Sequence, residues 1–391
     1  MTVGVAHAKP PPAGPSPVCY GGKGTPDLGS PSWSVRLGQA CWGSCGRGVD
    51  EGRMTSNRNL KRRVRACAAK TGESYAAALR HVRPAQQADT MPQVTLMRLA
   101  TAQVIVREDP RDPGQLRQSG RDVRELMRQA HRAGARIIHF PEGATCSPHK
   151  RIMSVTGPAE VGPADWGRGD WQVLRQELAA IARLAGELRL WAVLVSVHTL
   201  TPPRRPHNSM YVISDQGELV TRYDERLLSS TKLSFMYTPG SGPVTFEVDG
   251  LRFGCAMGIE VHFPEVFAEY ERLDVDGVLI STGPGQTTGG TAAFATQAQA
   301  HAATNSLWVS FAMAAPHSAA APAGAIAPDG RWAAQCPGDG HPAVAIADID
   351  NRPESIDIAV AQARPWRRLA RAGAYDAHLV TDDRSDDRSA F

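Results

Sequence analysis

The sequence predicts an α/β protein, and three observations carry that expectation. Between residues 97 and 365, stretches that read as strands alternate with stretches whose apolar residues recur at helical spacing. The first strand–helix–strand run ends in a carboxylate, Glu142, as suits an α/β sheet, whose sites collect at the C-terminal ends of strands. The 391 residues, 42% of them apolar and 21% charged, suffice for one large domain plus extra material.

Composition excludes several classes. No run of apolar residues is long enough for a membrane-spanning helix, and the first residues lack the apolar core of a secretory signal. Seven scattered cysteines point to a reducing, cytoplasmic setting and not to a disulfide framework. Cys41 and Cys45 have no second ligand pair at zinc spacing, so no metal is expected. The net charge of +4 is small but locally concentrated.

Residues 1–53, rich in Gly and Pro without apolar periodicity, read as disordered. In residues 54–84, Arg58, Lys61, Arg62, Arg63, Arg65, Lys70, Arg80 and Arg83 stand against the single acid Glu73. With the linker to residue 90, this segment reads first as a solvated basic appendage with helical composition. A small hairpin touching DNA or RNA phosphates is the alternative. The main domain is expected to start at Met97. Leu99 to Val106 is a first strand. Leu116, Val123, Leu126, Met127 and Ala130 place a helix over 114–133, which Gly134 ends. Arg136 to Phe140 is a strand closed by Pro141-Glu142-Gly143.

A helix over 171–187 precedes a strand over 190–197. His207-Asn208-Ser209 leads into a strand, Asp215-Gln-Gly-Glu makes a hairpin turn, and residues 219–223 return. Residues 251–259 place apolar side chains at every second position and run into Pro264, where a helix begins. A strand over 277–282, a Gly-rich loop from Gly283 to Gly290 and a helix over 291–305 follow. His301 on that helix reads as a packed or surface histidine. Strands over 308–314, about Ala323–Trp332 and over 342–349 complete the domain, and residues 366–391 form an arm and a disordered tail.

The stretch Gly254 to Glu265, G-C-A-M-G-I-E-V-H-F-P-E, resembles the nucleophile motif of the nitrilase, or carbon-nitrogen hydrolase, superfamily. Phe263-Pro264-Glu265 and Glu260 fall in place. The strand ending Phe-Pro-Glu-Gly at 140–143, the His-Asn-Ser run and Ile326-Ala-Pro-Asp-Gly also look like that family, in the right order over about residues 97–365. The resemblance implies a four-layer α-β-β-α sandwich, usually a homodimer or larger. It also implies C–N bond hydrolysis of amides, nitriles, ureas or carbamoyl groups by Glu, Lys and Cys without a cofactor.

Carried over by position, the general base is Glu142, the lysine position holds Glu225 and the cysteine position holds Gly258. Lys232 stands where many relatives have a second glutamate, so Glu225 and Lys232 are either an exchanged ion pair or an accident of alignment. Lys232, Ile259, Glu260 and His262 are the expected ligand contacts. Neither Cys255 nor Cys146 offers a replacement. Cys255 is roughly 10 Å up the strand and faces the other way, and Cys146 would reach only the pocket rim.

Glycine cannot form a thioester. The resemblance therefore implies a pocket for a small amide, nitrile, urea or carboxylic compound in which thiol catalysis is lost. Two alternatives stay open: acid/base chemistry by Glu142 with Glu225, and a metabolite sensor linked to nucleic acid through residues 54–84.

Overall fold

The computed structural model describes residues 96–283, 288–350 and 358–386, with positions 65 and 389. The chain divides into two units, residues 1–89 and 90–391, and the elements below belong to the second. The expected disordered segment 1–53 and basic segment 54–90 lie outside the described residues, Arg65 excepted.

Five strands open the domain: β1 (Leu96–Val104), β2 (Ile137–His139), β3 (Trp191–His198), β4 (His207–Ile213) and β5 (Leu219–Asp224). Six more follow: β6 (Thr245–Val248), β7 (Leu251–Met257), β8 (Gly277–Ser281), β9 (Trp308–Ala314), β10 (Gly324–Ile326) and β11 (Trp332–Gln335). The last, β12 (Ala343–Asp350), returns to pair antiparallel with β1.

The first sheet has the order β5-β4-β3-β2-β1-β12, with β1, β2 and β3 parallel. The second has the order β6-β7-β8-β9-β10-β11, with β7, β8 and β9 parallel. The C-terminal ends of β1 and β9 pair through Gln103 with Met313 and Val104 with Ala314. That short seam joins both into one twelve-stranded sheet in a nearly closed arrangement.

Apolar alternation decides how the layers stack. Leu99, Ile137, Val195 and Tyr223 of the first sheet meet Phe253, Cys255, Met257 and Leu279 of the second in one buried cluster. The outer face of the first sheet is covered by α1 (Pro113–Arg132) and α2 (Trp171–Leu188), through Val123, Met127, Ile181 and Leu184. The second is covered by α3 (Pro264–Arg272) and α4 (Thr288–Asn305), through Phe267, Tyr270, Ala298 and Ala302. Apolar area on both faces of each sheet is removed from water, and the result is the α-β-β-α order of layers.

One polar chain crosses the layers just below the strand ends. Thr101 Oγ1 and Ser310 Oγ lie 2.6 Å apart, His139 Nδ1 is 2.9 Å from Ser310 Oγ, and His139 Nε2 is 2.8 Å from Ser281 Oγ. Burial pushes the His139 imidazole down to about 3, so this stitch between sheets is neutral.

Several expectations shift in detail. β1 runs from 96 to 104, three residues earlier than expected at its start. His207-Asn208-Ser209 belongs to β4 itself. Helix α4 starts at Thr288 and not at 291, while residues 284–287 of the Gly-rich loop lie outside the described residues. The arm expected from 366 is part of a helix, α5 (Ile358–Arg371), that crosses that boundary. Its Arg364 bonds the Val275 carbonyl at 2.7 Å, and Arg371 pairs with Glu271 of α3.

Candidate functional site

The C-terminal ends of the parallel strands bring Glu142, Glu225, Lys232 and Gly258 together. Each arrives for a local reason. Glu142 follows β2 after Phe140-Pro141, where the strand stops. Glu225 is the first residue past β5, and its N–H is held by the Asn208 carbonyl at 2.9 Å. Lys232 opens a π-helical turn, Lys232–Met236. No periodic pattern in the sequence announces this turn, and such wide turns recur where a side chain is presented to a site. Gly258 follows β7 and starts a 3-10 turn, Gly258–His262, that separates the strand from α3.

The charges interlock. Lys232 Nζ donates to Glu142 Oε1 at 2.5 Å and lies 3.0 and 2.8 Å from Glu225 Oε1 and Oε2. Asn208 Nδ2 reinforces both carboxyls, 2.8 Å from Glu142 Oε1 and 2.6 Å from Glu225 Oε2. The reversed ion pair weighed from the sequence is therefore present as geometry, and Glu142 is its third member. Buried ions of this kind need several partners each to offset lost hydration.

Gly258 is the point on which the others converge. A Cβ added there would lie 2.8 Å from Glu225 Oε1 and 3.3 Å from both Glu142 Oε2 and Lys232 Nζ. Its φ of +52° is in the left-handed region that glycine occupies without penalty. Gly283 completes the seat, because a Cβ there would come within 2.6 Å of Glu142 Oε2. That oxygen makes no hydrogen bond among the described residues, which leaves it available to a bound molecule.

A cavity of about 370 Å³ opens over this point, within the range of small-ligand sites. Its apolar wall is Met236, Tyr237, Ile259 and Phe294, and its polar wall is Ser147, His149, Lys150, Ser229 and His317. The loops after β2 and β8 supply Ser147 to Lys150 and Gly283. Sequence reasoning gave no role to Asn208, His149, Lys150 or His317. Asn208 alone carried a signal, standing in the His-Asn-Ser run. The others lie in segments without periodicity, so only the folded loops reveal them.

Two of the expected ligand contacts are placed elsewhere. Glu260 points into the protein, where it accepts hydrogen bonds from Tyr223 OH at 2.7 Å, Arg226 N at 2.7 Å, Leu227 N at 3.1 Å and Met257 N at 2.8 Å. It braces the 3-10 turn against the segment that carries Glu225, because a buried carboxylate must find donors and backbone N–H groups supply three. His262 is exposed and meets Phe294 edge-on at 4.7 Å, outside the cavity lining. Cys146 does not reach the rim. It is buried with Leu116, Met153 and Val173, and burial pushes its thiol up, as it does that of Cys255. His301 stacks on Phe267 at 3.7 Å and bonds the Val261 carbonyl. Among the described residues no three His, Cys, Asp or Glu side chains gather as a metal site, and no helix is long and apolar enough to cross a membrane.

Burial pushes Glu225 up to about 8 against the pull of Lys232, and the Glu142 charge adds to the rise. The ammonium of Lys232 is itself raised by the two carboxyls. The folded state thus holds a proton on Glu225 that the unfolded chain releases near 4.5. Stability contributed by this group is full below that value and falls as pH rises toward 8. Thermal unfolding between pH 5 and 8.5 is expected to show this decline in the natural protein and a flatter profile in Glu225→Gln. An equal slope in both would show that Glu225 does not carry the proton.

Comparison with known proteins places the fold. The carbon-nitrogen hydrolase family model matches residues 88–356. Among curated proteins nothing matches. Solved structures of the nitrilase superfamily share the fold. An amidase from Nesterenkonia sp. is 16% identical with a TM-score of 0.52, over 72% of this chain and 96% of its own. A cysteine-to-alanine mutant of the amidase from Nesterenkonia sp. AN1, in complex with butyramide, is 16% identical with a TM-score of 0.51, over 65% of this chain and 90% of its own. With the family pattern matched across more than half its length, and two helix-covered sheets meeting over a Glu–Lys cluster, the chain belongs to the carbon-nitrogen hydrolase family of the nitrilase superfamily.

Proposed function

We propose that this protein binds a small amide or carboxylic compound in the cavity above Gly258 and does not hydrolyse it through a thioester. The observation that carries the reading is Gly258 itself. A carboxylate and an ammonium both come within 3.3 Å of the spot where its side chain would start, and no nucleophilic atom is there. Hydrolysis by this family's route needs a thiol that attacks the carbonyl, expels the amine and holds the acyl group until water arrives. Glycine supplies none of these steps.

Binding does not need the thiol. Lys232 directs its three N–H donors to Glu142 Oε1 and to both oxygens of Glu225, so a ligand carbonyl oxygen beside Gly258 would share one of the two aimed at Glu225. Glu142 Oε2 accepts an amide N–H. The amidase mutant that holds butyramide, likewise altered at a cysteine, supports the idea that such a fold retains amides without that residue. Acid/base chemistry by Glu142 with Glu225 is the weaker reading. Lys232 lies between the two carboxyls, and Glu225 is buried with donors on both oxygens.

The test is calorimetric titration and ammonia release with short amides such as butyramide. The natural protein is expected to bind and to release no measurable ammonia. Gly258→Cys is expected to release ammonia at least about a hundredfold faster than the natural protein, because a missing nucleophile usually costs far more. Its left-handed backbone costs about 1–2 kcal/mol in stability, and Gly258→Ala, with the same strain and no thiol, is the control. Turnover by the natural protein at about one per second, an ordinary enzyme rate, would overturn the reading, as would failure to bind any amide or acid of the panel.

A further inference from the structure

The cavity holds two ammonium groups in different circumstances. Lys232 is matched by two carboxyls. Lys150, on the same cavity lining, makes no side-chain ion pair or hydrogen bond among the described residues, although it is partly buried. A half-buried lysine without a partner is costly, because lost hydration is not replaced. Burial, and then the Lys232 charge, hold its ammonium below the usual lysine range. The wall around it repeats the pattern. His149 Nδ1 is buried without a hydrogen-bond partner, and Ser147, Ser229 and His317 offer further donors. Glu108 is the one other carboxylate on the described lining, and it is exposed at the rim, where water screens it.

We infer that the ligand carries a carboxylate as well as the amide or acid group beside Gly258, and that Lys150 receives this second, anionic end. Two sites of opposite demand then lie in one cavity. At Gly258 the Lys232–Glu142 pair reads a neutral carbonyl with an N–H. At Lys150 an ammonium with no hydrogen bond or ion pair among the described residues reads an anion. An ammonium–carboxylate contact in a partly dry cavity is stronger than the same contact in water. Met236, Tyr237, Ile259 and Phe294 form the apolar wall that a short carbon chain joining the two groups would cover. The inference rests on the binding reading above and deepens it.

The experiment is calorimetric titration of the full chain at low salt with succinamate, which has an amide and a carboxylate, and with butyramide, which has the amide alone. Succinamate is expected to bind about tenfold or more tightly, the order of one charge-assisted contact. Lys150→Met is expected to abolish most of the preference, bringing the affinity for succinamate close to that for butyramide. Lys150→Arg, which keeps the charge, is expected to retain most of the preference. Equal binding of both compounds by the natural protein overturns the anionic subsite while the amide-binding reading stands. Full preference for succinamate in Lys150→Met also overturns it, by removing Lys150 as the reader. Binding of neither compound overturns both readings.

Discussion

Lys232→Met is expected to destabilise the fold by about 3–5 kcal/mol at pH 7, the usual result of removing one member of a buried ion cluster. The methionine fills a similar volume, so the loss is electrostatic. Glu142 and Glu225 would face each other with only Asn208 donating to both. Glu225, which holds its proton below about 8, adds no second charge at pH 7, so the loss is that of the Glu142 carboxylate left without its cation. Urea unfolding at pH 7 measures the loss. A loss under about 1 kcal/mol at pH 7 would show that the cluster is solvated and weak, as surface pairs are. The pairing read from geometry would then not govern the site.

Glu260→Ala is expected to cost about as much, roughly 3–5 kcal/mol, for a different reason. Four donors, three of them backbone N–H groups, would lose their acceptor in a dry interior. Each unsatisfied buried group costs about 1–3 kcal/mol, less where the structure relaxes. Glu260→Gln keeps an acceptor for Arg226 N and Leu227 N but turns a donor toward Met257 N or Tyr223 OH, and an intermediate loss is expected. Chemical denaturation of both variants checks the order. If Glu260→Ala lowers ligand affinity with unchanged unfolding free energy, Glu260 is a ligand contact after all and not a brace.

The two residues separate what a motif conveys from what it does. Glu260 and Phe263-Pro264-Glu265 identified the family from the sequence, yet Glu260 acts from behind the cavity. Spacing placed it beside the cysteine position. It could not say that the 3-10 turn after β7 directs the carboxylate inward to Tyr223 and the 226–227 amides. The same turn carries His262 out to solvent. Lys232 is the converse case. Nothing in Ser229 to Gly240 marks an element, and a lysine in such a stretch is commonly solvated. Only the π-helical turn brings its ammonium between two carboxyls that are 83 residues apart in the chain, at 142 and 225.

By itself the sequence determined the α/β class, the order of strands and helices, the family, and the absence of a thiol at position 258. These follow from local periodicity and from short motifs, which the chain carries in one dimension. The tertiary structure decided that Lys232 pairs with both Glu142 and Glu225, that Glu260 and His262 leave the cavity, and that Lys150 and His149 line it. Those outcomes depend on where loops from distant strand ends meet and on which buried charges find donors there. Long-range contact and desolvation set both, and neither has a local signature in the chain.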